Sequence, residues 1–140
     1  MGRYMAIDFG RKRVGIAVSD PGKRIAQGLT TVPSGDIWNF LDEYLSREEV
    51  EVFVVGYPLQ ASGAQSESMQ YITPFVKKLK KRYSGLEVVY EDERFTSKMA
   101  MQAMIDGGMK KKDRRVKGNV DKISATLILQ SYMMRREQVL

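Results

Sequence analysis

The sequence predicts an α/β fold, with a five-stranded mixed sheet flanked by helices. Three observations carry it. Two apolar runs near the N-terminus, YMAI at 4–7 and VGIAV at 14–18, stand on either side of a short basic turn, as in a hairpin. A third run, EVFVVG at 51–56, is apolar without interruption, which suits a strand covered on both faces at the centre of a sheet. The later strand-like runs are separated by stretches of helical period, so they return through helices and run parallel.

The elements follow in order. Gly10 breaks the first strand, where a residue free to take positive φ suits a reversal, and Asp8 falls where that strand gives way to the turn. Gly15 removes a side chain from the second strand, as a close approach by another group requires. Ser19, Asp20, Pro21 and Gly22 end the hairpin. RIAQGLTTV at 24–32 reads as a third strand closed by Pro33, Ser34 and Gly35. Asp36 then suits the N-cap of a helix to about residue 48, with Ile37, Phe40, Leu41, Tyr44 and Leu45 on one face. The strand at 51–56 stops at Gly56 and Pro58, and 57–66 is a polar loop. A helix over 67–83 buries Ile72, Phe75, Val76, Leu79 and Tyr83, with a kink or a start at Pro74. Lys77, Lys78, Lys80, Lys81 and Arg82 read as its solvated face. A strand at 86–90 ends in Glu91, Asp92, Glu93 and Arg94. Thr96 or Ser97 suits the cap of a helix to Asp106, ended by Gly107 and Gly108. The charged run 110–115 is expected to be mobile. Asn119 suits the cap of a final helix over 120–136, apolar at Val120, Ile123, Leu127, Ile128 and Met134. This order, β-β-β-α-β-α-β-α-α, fits the ribonuclease H-like architecture as a single domain over 1–140.

Composition narrows the chemistry. The chain has 140 residues and neither cysteine nor histidine, so it offers no thiolate or imidazole metal ligand and no Ser-His triad. Carboxylates, amines, guanidinium groups and hydroxyls must carry any catalysis. The net charge of +6 favours polyanionic partners, nucleic acid above all. No apolar run approaches the length that spans a bilayer. Asp8 and the basic residues 11–13 interrupt any secretory pattern at the N-terminus, so no membrane association is expected and the cytoplasm is the expected location.

Asp8 ends the first strand, Asp92 and Glu93 follow the last, and Asp121 lies in the first turn of the predicted final helix. Ligands of sheets with parallel strands gather beyond the carboxyl ends of those strands. Each acid also has a plainer reading: Asp8 bonded to the turn backbone, Asp121 complementing the helix dipole, Glu93 paired with a neighbouring base. Converging at one rim, however, they would suit Mg²⁺ or Mn²⁺, which take hard oxygen ligands. Such ions activate water and stabilise the leaving oxygen of a phosphodiester.

Four blocks, IDFGRKRVGIAVSD, VVGYPLQASGAQS, DERFTS and VDKISATLILQSY, closely resemble the YqgF/RuvX family over nearly the whole chain. Its members are bacterial proteins related to Holliday-junction resolvases and named as nucleases of pre-16S ribosomal RNA. The resemblance implies a ribonuclease H-like fold, divalent-metal-dependent phosphodiester cleavage, and a nucleic-acid substrate, structured RNA or branched DNA. It places the metal carboxylates, which are also the catalytic residues, on Asp8, on the acidic pair before Arg94, and on Asp121. Glu93 is preferred to Asp92 because its longer side chain reaches further from a loop. Lys12, Arg94 and Lys122 are the implied phosphate contacts. Related resolvases carry a carboxylate near the position of Gly56 to Leu59, and another one helical turn after the last acid. This chain has none in the first place and Ser124 in the second, which favours three carboxylates over four. Processing of the 5′ end of pre-16S ribosomal RNA is the first reading. Junction resolution, or a non-catalytic RNA-binding role in ribosome assembly or transcription, is the alternative. A nucleotide-binding lobe of the actin-like ATPase kind also shares this sheet, but two lobes are needed to enclose a nucleotide. Monomer and homodimer both remain open, and symmetric junction cutting calls for the dimer.

Overall fold

The computed structural model describes residues 2–57, 69–92 and 117–139. Its elements are β1 (Arg3–Phe9), β2 (Arg13–Ser19), β3 (Ala26–Pro33), a single 3-10 turn (Ser34–Asp36), α1 (Ile37–Arg47), β4 (Val50–Tyr57), α2 (Met69–Arg82), β5 (Glu87–Asp92) and α3 (Lys117–Val139). The sheet order is β3-β2-β1-β4-β5. β2 is antiparallel to β1 and to β3, whereas β4 is parallel to β1 and to β5. Short turns allow only antiparallel neighbours, and the helical returns give the parallel ones. The mixed sheet of five strands is therefore the expected one.

Alternation along the strands divides the core in two. Met5, Ile7, Val14, Ile16, Phe53 and Val55 face α1 and α2 and pack on Ile37, Leu41, Ile72, Phe75 and Leu79. Tyr4, Ala6, Ala17, Val52 and Val54 face α3 and meet Ala125, Ile128, Leu129 and Tyr132. Small residues at Ala6 and Ala17 let the last helix lie close to the sheet.

Several local expectations are corrected. Residues 24 and 25 belong to a turn rather than to β3, because the Asp20 carboxylate accepts hydrogen bonds from the Arg24 and Ile25 N–H groups, each at 2.8 Å. Gly10 has no left-handed φ. It is needed for room, since a Cβ there would meet the Arg13 carbonyl oxygen at 2.6 Å. Asp36 precedes α1 but makes no side-chain cap bond, because the 3-10 turn already orders the chain before it. Pro74 sits inside α2 and does not start it. β5 continues through Glu91 and Asp92, which pair with Gly56 and Tyr57. Asn119 lies within α3 rather than at its cap position, so Asp121 stands in the second turn rather than the first. Met134 is 62% exposed, and the buried stripe runs instead through Ala125, Ile128, Leu129, Tyr132 and Met133. The predicted helix over 96–106 and the charged run 110–115 lie outside the described residues.

The middle of α1 is tied to the C-terminal end of α2. Asp42 accepts hydrogen bonds from the Tyr83 hydroxyl at 2.6 Å and from Arg82. Burial, and next the bond to Asp42, push the Tyr83 hydroxyl up to about 12. No described helix is long and apolar enough to cross a membrane.

Candidate functional site

The carboxyl ends of the parallel strands β1, β4 and β5 share one rim, and the expected site lies there. Asp8 follows Tyr4 and Ala6 in phase, so it stands on the α3 face of β1. Its partner across the hairpin is Gly15. A side chain at that position would collide with the last helix. A Cβ on Gly15 would lie 2.2 Å from the Asp121 carbonyl oxygen, 2.5 Å from its carbonyl carbon and 3.1 Å from its Cβ. α3 is thus seated on bare β2 backbone at Asp121. Directly paired Cα atoms stand about 5 Å apart in an antiparallel ladder. Asp8 and Asp121, far apart in sequence, are therefore neighbours at the rim.

Arg13, in phase with Gly15, reaches the same place. Its Nε donates to Asp121 Oδ2 at 2.9 Å. Both side chains remain partly solvated, at 37% and 25% exposure, so the pair is worth about 0–1 kcal/mol and orients the carboxylate more than it stabilises the fold. Among the described residues, the side-chain partner of Asp121 Oδ2 is Arg13. Sequence reasoning passed over Arg13 as one of three adjacent bases. Its place at the start of β2 separates it from Arg11 and Lys12, and its phase with Gly15 marks the face it takes.

The remaining predicted residues fall as follows. Lys12 is exposed in the turn between β1 and β2. Its carbonyl accepts from the Ser34 N–H at 2.9 Å, which holds the turn in place. Arg11 beside it lies over the Tyr71 ring at 5.5 Å. Lys122 turns toward β3, where its Cγ lies 2.8 Å from where a Gly28 Cβ would be. Gly28 pairs with Ala17, below the level of Gly15, so the Lys122 stem leans away from Asp8. Glu93 and Arg94 lie outside the described residues. On β5, Val89 packs on the α3 side and Val88 on the other, so Glu91 shares the face of Asp8 and Asp92 has the opposite phase.

Glu91 is also a residue that sequence reasoning missed. It is 7% exposed. Its carboxylate accepts from Ser131 at 2.8 Å and from Arg135 Nη2 at 2.6 Å. These bonds clamp the end of β5 to α3. An acid in phase with Val89 inside a strand was the available signal.

Among the described residues no three acidic side chains form a group able to hold a metal ion. Two carboxylates and a third group nevertheless suit a hard cation. Ser124, one turn along α3 from Asp121, is 2% exposed, and its hydroxyl has no hydrogen-bond partner among the described residues. Mg²⁺ and Mn²⁺ take carboxylate and other hard oxygens as ligands, and their bound waters donate hydrogen bonds to carboxylate and hydroxyl oxygens.

Comparison with known proteins agrees with this architecture. The sequence profile of the RuvX family, described as Holliday junction resolvase, matches residues 2–135. A protein of Bacteroides thetaiotaomicron, named "Putative pre-16S rRNA nuclease", is 53% identical over 133 residues, covering 95% of this chain and 96% of its own. One of Phocaeicola vulgatus with the same name is 50% identical over 139 residues, covering 99% of this chain and 100% of its own. One of Porphyromonas gingivalis, again so named, is 51% identical over 133 residues, covering 95% and 96%.

Proposed function

Because the chain belongs to the RuvX family of Holliday junction resolvases, we propose that it is a cytoplasmic, divalent-metal-dependent nuclease that cleaves phosphodiester bonds of pre-16S ribosomal RNA near its 5′ end. The observation that carries this reading is the seating of Asp121 on Gly15, the cross-strand partner of Asp8. It supports a pair of carboxylates at the rim where ligands of such sheets gather. The names of the relatives support the RNA substrate.

Asp8, Asp121 and Glu93 would hold Mg²⁺ or Mn²⁺. Glu93 is favoured by phase, since it is the next residue in step with Val89 and Glu91, whereas Asp92 is out of step with them. When bound, the ion supplies an activated water and charge for the leaving oxygen. Arg13 fixes one Asp121 oxygen and so presents the other to the ion. Lys12, Lys122 and Arg94 supply positive charge for the phosphates on either side of the cut. The net charge of +6 draws the polyanion to this surface.

The test is cleavage of an RNA carrying the 5′ precursor of 16S ribosomal RNA, beside a DNA four-way junction, in Mg²⁺ and in Mn²⁺. The RNA is expected to be cut, and Asp8→Asn to abolish the cut. That change is nearly isosteric and removes one charge from an acidic cluster, so the melting temperature should hold. Cleavage of the junction with the RNA intact returns the resolvase reading, which the family description favours and which calls for a two-fold dimer. Binding of RNA without any cut points to an RNA-binding assembly factor. Full activity in Asp8→Asn refutes the metal role of Asp8.

A further inference from the structure

We propose that the Ser124 hydroxyl belongs to the metal site, as a hydrogen-bond partner for the water shell of the bound cation; this rests on the nuclease reading above. Ser124 is 2% exposed, and its Oγ has no hydrogen-bond partner among the described residues. A buried hydroxyl without a partner is costly and calls for an explanation. A helical serine has an easy remedy, the carbonyl one turn back. Thr126, two residues on, takes that remedy and donates to the Lys122 carbonyl at 2.9 Å. Ser124 does not.

The flanks of α3 show where the hydroxyl faces. Lys122 and Thr126 lie against Gly28 on β3. Ser131 and Arg135 reach across the opposite side to Glu91 on β5. Ser124, Ile128, Ser131 and Arg135 follow one another at the spacing of a single helical stripe. Ser124 is therefore on the flank turned toward β1, β4 and β5, and it stands about 4.5 Å along the axis from Asp121. On the sheet beneath, Asp8 pairs with Gly15 on one side. On the other side Gly56, which follows Val55 on β4, carries no side chain. By phase and register, the hydroxyl thus stands on the side of α3 that faces Asp8 and, beyond it, Gly56. Mg²⁺ and Mn²⁺ keep several waters when bound by few carboxylates. A buried hydroxyl can accept a hydrogen bond from such a water. Outer groups of this kind commonly change metal affinity 10–100-fold when removed.

The experiment titrates Mn²⁺ into the full chain and into Ser124→Ala. Free ion is read by electron paramagnetic resonance, and both proteins are melted in EDTA. Ser124→Ala is expected to raise the Mn²⁺ Kd by roughly tenfold or more. Its melting temperature in EDTA should not fall, because only a partnerless hydroxyl is lost and alanine is the better helix former. An unchanged Kd in a wild-type protein that binds Mn²⁺ overturns the role of Ser124 alone. A weaker Kd together with a lower melting temperature in EDTA also overturns it, since packing would then be the cause. A wild-type chain that binds no Mn²⁺ overturns both this inference and the metal-dependent reading.

Discussion

Gly15→Ala tests the contact that brings the two described carboxylates together. The added methyl would stand 2.2 Å from the Asp121 carbonyl oxygen and 2.5 Å from its carbon. Both are backbone atoms, so no side-chain rotation relieves the clash. α3 cannot swing freely either, because its own Ala125, Ile128 and Leu129 are buried against the sheet. To regain ordinary contact distance the helix must lift by roughly 1 Å. Overpacking of this kind costs about 1–3 kcal/mol. The better strand propensity of alanine offsets only about 0.5–1 kcal/mol of it. The net loss should lower the melting temperature by about 2–8 °C. Activity should fall further than stability, because the lift carries Asp121 away from Asp8, and a misplacement of about 1 Å at a catalytic group costs about 100-fold. Single-turnover cleavage and thermal melts of the same preparation read both effects. Gly35→Ala is the internal control: nothing lies within 4 Å of its would-be Cβ, so it should change stability by less than about 1 kcal/mol, in the direction of a slight gain. Wild-type melting and activity in Gly15→Ala would refute the seating argument.

Two further outcomes are expected. Glu93→Gln should abolish metal-dependent cleavage, while Asp92→Asn should retain it; reversed phenotypes in the cleavage assay exchange their roles. Tyr83→Phe removes the hydroxyl bonded to Asp42, at a cost of about 1 kcal/mol near neutral pH. Because the Tyr83 hydroxyl is pushed up to about 12, this contribution is complete below its ordinary value near 10 and is lost as pH rises toward 12. Urea melts near pH 9 and pH 11 should show the gap between wild type and Tyr83→Phe closing; a gap that widens with pH contradicts the assignment.

Much of the sheet was legible because its signals are local. Turn formers at residues 19–22 and a glycine at 10 mark reversals within a few residues, and short connections permit only antiparallel pairing. Helical spacing likewise marked the buried positions of α1 and α2. The last helix was read less well. Asn119 resembles a cap in sequence, but capping depends on where the backbone has already become helical, and α3 is helical from Lys117 onward. Met134 fits an apolar period and yet is exposed, because the path of α3 across the sheet, and not the period alone, decides which flank is covered.

Within this chain, the sequence by itself determined the order of strands and helices, the position of Asp8 at a strand end, and the basic turn beside it, all set by interactions between residues close along the chain. Tertiary structure decided the rest. Arg11, Lys12 and Arg13 are equivalent as letters, and only the packing of α3 on β2 gives Arg13 to Asp121, 108 residues away. The same packing gives Glu91 to Ser131 and Arg135, and leaves the Ser124 hydroxyl buried without a partner among the described residues. These pairings depend on which face of one element meets which face of another. That is fixed by long-range fit between a helix and a sheet: local pattern marks Gly15 as a point of close approach and strand phase gives a residue its face, but neither says which residue of α3 meets it.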